Sequence, residues 1–481
     1  MRRVFYGLVV MLGICLLSAG CKKEETYSFS VPSGSILVAM PGATGTTSFD
    51  SFNIASIGVT STPEGWIVDD IDLYNGTITV TAPSSFEEDE VKEGTLSLKG
   101  YTPQGSTKTI SIYLAILENK DVDYTAAPAN CYIANKPETR FVFDPYKGGN
   151  GVVLETECIE VMWQTRKSLI KYLDLRDGKA SFYLEMAAND DDSDEPSNKV
   201  YEGNALIGAY DKAGKLIWSW HIWVTNGDPT TDTIMLNGEE MMNRNLGAFT
   251  NSNGSTDGKE IYRSYGMYYQ WGRKTPFVGP QDYKFTGNYD DVLFNGAGTV
   301  VYPDYEESTA KVGTLEWSIH NPMALIKGNK DNGYDWLYEG HDNTLWSEET
   351  KTDNDPCPAG WRIPAKSVFE SLTIVGSYDD MSWEEVQPLY GWMLLDTESG
   401  NEHFFTAQGR RNYLDCRLDI FNDDYDLPIP WSGYYWTASV DGEDASALYF
   451  DLNTATRLWN GFDAARAMHR ANAMPVRCVR E

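Results

Sequence analysis

The sequence predicts a mainly β protein with more than one domain, and three observations carry that prediction. Short runs that alternate apolar and polar residues recur between turns rich in Gly, Pro and Asn, which is typical of strands in a sandwich. The 481 residues include 42 glycines, and aromatic residues make up 13% of the chain. That aromatic content is ample for packed cores. The length indicates two to four domains, at roughly 100–200 residues each.

Residues 1–20 have the pattern of a secretory signal peptide, in which a basic start precedes an apolar run and small residues lead into Cys21. The run is too short for a membrane-spanning helix, which needs about 20 residues. The pattern resembles the lipobox of bacterial lipoproteins, although Ser18 stands where the usual Leu would be. The resemblance implies that Cys21 is acylated and inserts into membrane lipid. The tether 21–27 begins with a charged stretch similar to the surface-export signal of Bacteroidetes lipoproteins, which implies an outer-membrane, surface-exposed protein.

Residues 28–118 predict an immunoglobulin-like β-sandwich. Alternating runs such as Thr77–Val80, Thr95–Leu98 and Thr109–Leu114 are separated by turn residues, and Trp66 is a candidate core aromatic. The order of these runs resembles the BACON-type domains of Bacteroidetes surface proteins. Residues 119–127 lack apolar periodicity and predict a linker.

Residues 129–230 predict a second β-rich domain. Its clearest signal is a hairpin, in which strands over 205–210 and 216–224 flank the turn Asp211–Gly214. His221 lies among tryptophans in the second of these strands, and we expect it to be a satisfied core residue rather than a ligand.

Residues 231–481 predict a mixed α+β domain with few helices, the candidates being Ser367–Leu372 and Trp383–Leu389. Five ordered blocks stand out, at 236–246, 265–274, 355–364, 433–439 and 475–480. Together they resemble the Fibrobacter succinogenes major paralogous domain, while phrases in 129–230 are similar to fimbrillin-type surface proteins. The resemblance implies a C-type-lectin-like fold in its formylglycine-generating-enzyme branch, in which the terminal strands come together.

The charge excludes one class of partner. The formal net charge is −31, and a strongly negative protein repels the phosphate backbone, so nucleic-acid binding is not expected.

Five cysteines remain after the signal peptide and Cys21 are set aside, so at least one is unpaired within the chain. The lectin-like resemblance implies a Cys357–Cys478 disulfide that joins the terminal strands. Two buried free thiols are the alternative. A second bridge, between Cys131 and Cys158, is a further option with weaker support.

No catalytic motif is found. The histidines form no HExxH pair, and the chain has no Gly-x-Ser-x-Gly elbow or phosphate loop. A formylglycine-generating type of enzyme needs paired reactive cysteines, whereas Cys416 is the only spare candidate; Arg417 beside it would lower its pKa. We therefore expect no enzyme activity.

Binding or adhesion is the favoured function, with a glycan or a protein as the ligand. Lectin-like folds often carry ligands in the insertion before their last strands, and aromatic faces with carboxylates suit sugars. The candidate ligand-binding residues there are Arg410, Arg411, Tyr413, Asp423, Asp424, Tyr425, Asp426 and Trp431. No metal site or cofactor is predicted, although calcium at acidic loops stays open. The alternative function is a structural or accessory subunit of a fimbria-like assembly.

Overall fold

The protein is described here by a computed structural model. It describes residues 26–481 apart from 33, 39–40, 85–92, 117–119, 177, 190–196, 280–291, 376–389, 419–431 and 452–460. The chain divides into two compact units, which meet in sequence between residues 117 and 118. The signal peptide, Cys21 and most of the tether lie outside the described residues.

The described part of the first unit contains nine strands: β1 (Ser28–Ser30), β2 (Ser35–Val38), β3 (Thr44–Ser48), β4 (Asp50–Phe52), β5 (Ser56–Ser61), β6 (Ile67–Asp72), β7 (Thr77–Thr81), β8 (Glu93–Tyr101) and β9 (Thr107–Ile116). One sheet has the order β2-β9-β8-β5 and a second has the order β3-β7-β6. Strand alternation sends Leu96, Leu98, Ile78 and Val80 into a common core, where Trp66 is also buried. The unit is therefore an immunoglobulin-like β-sandwich.

The second unit begins with another sandwich, and its strands are β10 (Lys120–Asp123), β11 (Cys131–Ala134), β12 (Thr139–Phe143), β13 (Lys147–Gly148), β14 (Val152–Val153), β15 (Cys158–Gln164), β16 (Lys171–Arg176), β17 (Lys179–Leu184), β18 (Gly203–Tyr210) and β19 (Leu216–Val224). The predicted linker 119–127 is wrong over β10, which pairs in parallel with β12. Backbone pairing and the packing of Val122 against the core hold this strand, and neither leaves a periodic pattern in so short a segment.

The predicted hairpin is present as β18 and β19, which pair in antiparallel register. Asp211 shapes its turn, because one carboxylate oxygen accepts from the backbone N–H groups of Ala213 and Lys215. Both faces of the hairpin are buried. Trp220 and Ile222 face the sheet β10-β12-β17-β16, while Trp223 packs in a core with residues from 242–478. This explains the run of large side chains, since a sheet covered on both faces has no need for polar alternation.

The remaining strands are β20 (Thr233–Leu236), β21 (Glu239–Met242), β22 (Tyr269–Gln270), β23 (Leu293–Phe294), β24 (Val300–Val301), β25 (Asp304–Glu306), β26 (Ala324–Ile326), β27 (Trp361–Arg362), β28 (Leu372–Ile374), β29 (Gly391–Asp396), β30 (Glu402–Thr406), β31 (Ser432–Asp441), β32 (Asp444–Asp451), β33 (Phe462–Met468), β34 (Ala473–Met474) and β35 (Val479–Arg480). The last strand, β35, pairs with both β21 and β27. The strands near the two ends of 231–481 therefore lie side by side.

Helix is scarce in the described part of the second unit. The α-helices are α1 (Gly258–Arg263) and α2 (Leu315–His320), and 3₁₀ turns cover Lys330–Asn332 and Lys366–Phe369. The predicted helix Ser367–Leu372 is wrong beyond its first turn, because Leu372 begins β28 and pairs with β29. The other helix candidate, 383–389, lies outside the described residues. The mainly β prediction is confirmed.

The predicted regions 129–230 and 231–481 belong to one compact unit and share a core. Cys131, Trp163 and Leu206 from the first region pack with Trp271, Trp361 and Trp436 from the second. None of the helices in the described part of the chain has the length and apolar character needed to cross a bilayer.

Candidate functional site

The block at 355–364 forms a buried clamp around a disulfide. Cys357 is bonded to Cys478, the pair that the lectin-like resemblance implies, across a sequence separation of 121 residues. Asp355 accepts from the backbone N–H groups of Cys357 and Ile363 at 2.8 and 3.0 Å. Lys351 Nζ donates to Asp355 at 3.0 Å and to the carbonyl oxygens of Cys357 and Trp361 at 2.7 Å. These contacts fix the turn that carries Cys357, so the block is structural.

The block at 265–274 is also structural. Gln270 donates to the carbonyl oxygens of Ile326 and Ala471 and accepts from the N–H of Ile326. Lys274 Nζ donates to the carbonyl and hydroxyl oxygens of Ser219, which lie at 2.7 and 2.8 Å. Burial lowers the pKa of Lys274 well below its usual value. These two blocks therefore hold the core together.

The second disulfide option is contradicted, since Cys131 and Cys158 are both free. They lie on β11 and β15, which are separated by β19 and β18 in one sheet. Three strand spacings place those strands about 14 Å apart. A disulfide joins Cα atoms only about 4.4–6.8 Å apart.

Cys416 lacks the properties of a reactive thiol. Its side chain is buried, and burial raises its pKa to about 12. The cations that oppose this rise in pKa are Arg411, Lys327 and Arg273. The prediction that Arg417 lowers the pKa of Cys416 is wrong, because Arg417 is exposed and is not among these cations. A protonated thiol is a poor nucleophile.

The predicted ligand residues that the structure describes, Arg410, Arg411 and Tyr413, do not form one surface. Arg411 is buried, and its guanidinium donates to the carbonyl of Val278 through two nitrogens at 2.9 and 2.8 Å. Its assignment as a ligand residue is therefore corrected to a structural one. Arg410 is half-buried over the ring of Tyr434, 5.1 Å from its centroid. The other predicted residues, Asp423, Asp424, Tyr425, Asp426 and Trp431, lie outside the described residues.

Tyr413 belongs to a half-exposed aromatic group that sequence analysis missed. Its ring centroid lies 4.5 Å from that of His469 and 4.9 Å from that of Tyr334. Tyr334 has a φ of 58°, in the left-handed region that costs free energy for a bulky residue. The N–H of Ala471 donates to the Tyr334 carbonyl, which ties the loop of Tyr334 to the segment of His469.

Two histidines in this area are each paired with an aspartate. His469 Nδ1 lies 2.7 Å from Asp444 Oδ1, and His341 Nδ1 lies 2.9 Å from Asp335 Oδ2. A carboxylate can only accept, so each Nδ1 carries the proton and each Nε2 of the neutral ring keeps its lone pair. Neither Nε2 has a hydrogen-bond partner among the described residues. We call Tyr334, Tyr413, His469, Asp444, His341 and Asp335 the tyrosine–histidine cluster.

The buried Arg470 contacts the aspartate of each histidine–aspartate pair, Asp335 and Asp444. Its guanidinium lies over the Trp271 ring, 4.6 Å from the centroid, and its Nε is 4.0 Å from Asp335 Oδ2. It also donates to Asn343 Oδ1 at 2.7 Å. Burial raises the pKa of Asp335, against the lowering effect of the hydrogen bond from His341. The cluster therefore combines the buried charges of Asp335 and Arg470 with half-exposed rings and unpaired acceptor atoms.

Sequence analysis had little chance of finding this cluster. Asp444 and His469 are 25 positions apart, and Tyr334 and Tyr413 come from loops that share no motif. The six-residue spacing of Asp335 and His341 matches no helix period. Only the aromatic character of Tyr413 gave a signal.

The described part of the second unit also contains cavities, and two of them are large enough to hold a small molecule. One of about 350 Å³ is lined by β10 and β11 together with Pro358 and Ala359. The other, of about 170 Å³, is lined by residues that include Arg166, Glu202 and Tyr265. Within the described ranges, no three His, Cys, Asp or Glu side chains gather as a metal site would require.

Comparisons with known proteins identify no family. No family model matches the chain, and no curated protein matches it.

Solved structures with some similarity include the D00-D0 domain of intimin, at 11% identity and a TM-score of 0.18, covering 41% of this chain and 96% of that one. Another is SGBP-B of the Bacteroides ovatus mixed-linkage glucan utilization locus, in complex with a mixed-linkage heptasaccharide. It has 10% identity and a TM-score of 0.13, covering 41% of this chain and 44% of that one. A third is the N-terminal Ig1-2 module of the Drosophila receptor protein tyrosine phosphatase DLAR, at 11% identity and a TM-score of 0.17, covering 42% and 99%. TM-scores this low establish no common fold for the whole chain.

Proposed function

We propose that this protein is a surface-exposed lipoprotein, anchored through acylated Cys21, that binds a glycan without catalysis. The immunoglobulin-like unit is a spacer, and the second unit, with its lectin-like arrangement of terminal strands, carries the ligand at the tyrosine–histidine cluster.

One observation carries this proposal: half-exposed rings and unpaired acceptor atoms lie together beside the buried charges of Asp335 and Arg470. Tyr334 and Tyr413 are half-exposed, and neither hydroxyl has a hydrogen-bond partner among the described residues. Tyrosine is enriched at binding surfaces because it offers a large apolar face and a polar tip at low entropic cost. The strained φ of Tyr334 is maintained by hydrogen bonds of its own backbone on both sides, to Asn329 and Ala471.

A glycan suits these groups better than an apolar ligand. Sugar hydroxyls donate to acceptors, and the cluster offers two histidine Nε2 atoms and the carboxylate of Asp444, whose side chain is 25% exposed. The C–H face of a sugar ring packs on an aromatic ring. A site of this composition fixes orientation through a few polar groups beside aromatic walls.

The test is a glycan array probed with the full-length protein, with calcium and with a chelator. We expect specific hits that Tyr413→Ala and His469→Ala reduce at least tenfold. Tyr74→Ala is the matched control, because Tyr74 is 96% exposed and lies in the other unit. Trp431→Ala and Asp424→Ala examine the predicted residues outside the described ranges. A blank array, or hits that survive both cluster variants, would overturn the assignment of this site.

The second candidate, a subunit of a fimbria-like assembly, is favoured by a different feature. β10 and β11 are edge strands, and the 350 Å³ cavity lies beside them. Edge strands accept an added strand from another chain. Native mass spectrometry distinguishes the functions, since a monomer at micromolar concentration fits a binder and an ordered oligomer fits a subunit.

A further inference from the structure

The 170 Å³ cavity shares no residue with the tyrosine–histidine cluster, and its chemistry is different. Its walls include the rings of Phe249, Tyr262 and Tyr265, and Arg166 and Glu202 supply charges. Pockets for drug-sized ligands measure about 300–1,000 Å³. A cavity of 170 Å³ therefore suits one ring-sized unit.

Arg166 is the uncompensated charge of this cavity. Its guanidinium lies over the Tyr201 ring, 3.7 Å from the centroid, which orients the planar group without neutralising it. It makes no ion pair with a described carboxylate. Glu202 is already engaged, because it accepts from Arg263 through both oxygens at 2.9–3.1 Å and from the Asn226 N–H.

A second feature points to a ligand independently. Tyr265 is only 8% exposed and lines the cavity, yet its hydroxyl has no hydrogen-bond partner among the described residues. The hydroxyl is open to the cavity rather than sealed in the core, so a bound polar molecule can take the hydrogen bond that solvent otherwise makes.

We propose that this cavity binds one acidic sugar unit, a uronic or sialic acid, with its carboxylate on Arg166 and a ring hydroxyl on Tyr265. A guanidinium pairs with a carboxylate through two parallel hydrogen bonds. The aromatic walls receive the C–H face of the sugar ring. The proposal builds on glycan binding as the function, but it places a charged residue of the glycan at a second site.

Calorimetric titration of the full-length protein with glucuronate, N-acetylneuraminate and neutral glucose tests this directly. We expect at least one acid to bind ten times or more tighter than glucose. Arg166→Gln should remove that preference, Arg166→Lys should keep part of it, and Tyr265→Phe should weaken binding several-fold. Lys167→Gln is the matched control, because it removes the neighbouring exposed cation, which does not line the cavity.

Equal affinity for acid and neutral sugar, no measurable binding of either acid, or an equal loss in Lys167→Gln would each overturn the proposal. Arg166 is exposed, so an unchanged melting temperature of its variants will show that they fold. The two sites fail separately. Acid binding that depends on Arg166, together with array hits that survive Tyr413→Ala, would refute the cluster alone. Array hits that depend on Tyr413, together with acids that bind no more tightly than glucose, would refute the cavity alone.

Discussion

The two units of this protein are stabilised in different ways. In the described part of the first unit, the buried side chains are apolar with the single exception of Thr102. The second unit buries many charged groups, which include Arg273, Lys274, Lys351, Asp355, Arg411, Arg470 and Arg477. Several of these cations, such as Lys274, are satisfied by carbonyl oxygens and rings rather than by carboxylates.

This difference decides how each unit responds to change. An apolar core loses free energy in proportion to the volume removed, so small changes are tolerated. A buried charge that loses its partner costs far more, because the remaining group cannot return to water. We therefore expect the second unit to be the more sensitive of the two, and four experiments examine this.

The largest effect is expected from the disulfide. Replacing both Cys357 and Cys478 by Ser should lower the free energy of unfolding of the second unit by about 4–5 kcal/mol, since a closed loop of this length restricts the unfolded chain. In calorimetry, the unfolding temperature of the second unit should fall, while that of the first unit should not change. We refer to these as the second and the first transition. Cys158→Ser, which removes an exposed free thiol, is the control. A second transition unmoved by the double change would contradict the bridge.

Next in size is Lys351→Met, which leaves the buried carboxylate of Asp355 without its cation. We expect a loss of about 4 kcal/mol in the second unit, measured by urea denaturation. The same change at the exposed Lys212 should alter stability by less than about 0.5 kcal/mol. If both variants behave alike, the clamp contributes nothing to stability.

The pH dependence should separate the units without any mutation. Burial lowers the pKa of His221 to about 3, whereas an unfolded histidine titrates near 6.5. The unfolded state therefore binds more protons below pH 6.5, and the second unit loses stability as pH falls, by about 2 kcal/mol at pH 5. Burial also lowers the pKa of His403, in the same direction.

All five histidines lie in the second unit. The first transition should therefore stay flat between pH 7 and pH 5. Calorimetry at pH 7 and at pH 5, with urea denaturation at the same two pH values, measures the stability of each unit and checks this difference. A parallel decline of both transitions would point to a cause other than histidine.

The smallest effect is expected in the first core. Ile112→Val should cost about 1 kcal/mol and move only the first transition. Ile67 is 59% exposed, so Ile67→Val is the matched control and should have almost no effect. A cost above that of Lys351→Met would reverse the comparison between the units.

The sequence predicted best where packing follows strand alternation. Strand β8 alternates strictly, and its Leu96 and Leu98 are buried as expected. Trp66 and the β18–β19 hairpin follow from equally local signals. The short strand β10 was missed because its pairing with β12 depends on contacts across the chain.

The tyrosine–histidine cluster was predictable only in part, because the residue type does not determine whether a side chain points inward or outward. Arg411 and Tyr413 are two positions apart in one predicted surface, yet the arginine points inward to Val278 and the tyrosine joins the half-exposed cluster. The two Asp–His pairs depend on the folding of separate loops. An arginine can donate hydrogen bonds to a backbone carbonyl or to a ligand, and the residue type alone does not distinguish the two.

The hairpin β18–β19 has a practical consequence for dividing this chain. A fragment that stops at residue 230 would leave Leu206, Trp163 and Trp223 in water, because their packing partners lie beyond that point. Such a fragment would tend to precipitate during expression. The natural place to cut lies near residue 118, where the immunoglobulin-like unit can be detached with its own core intact.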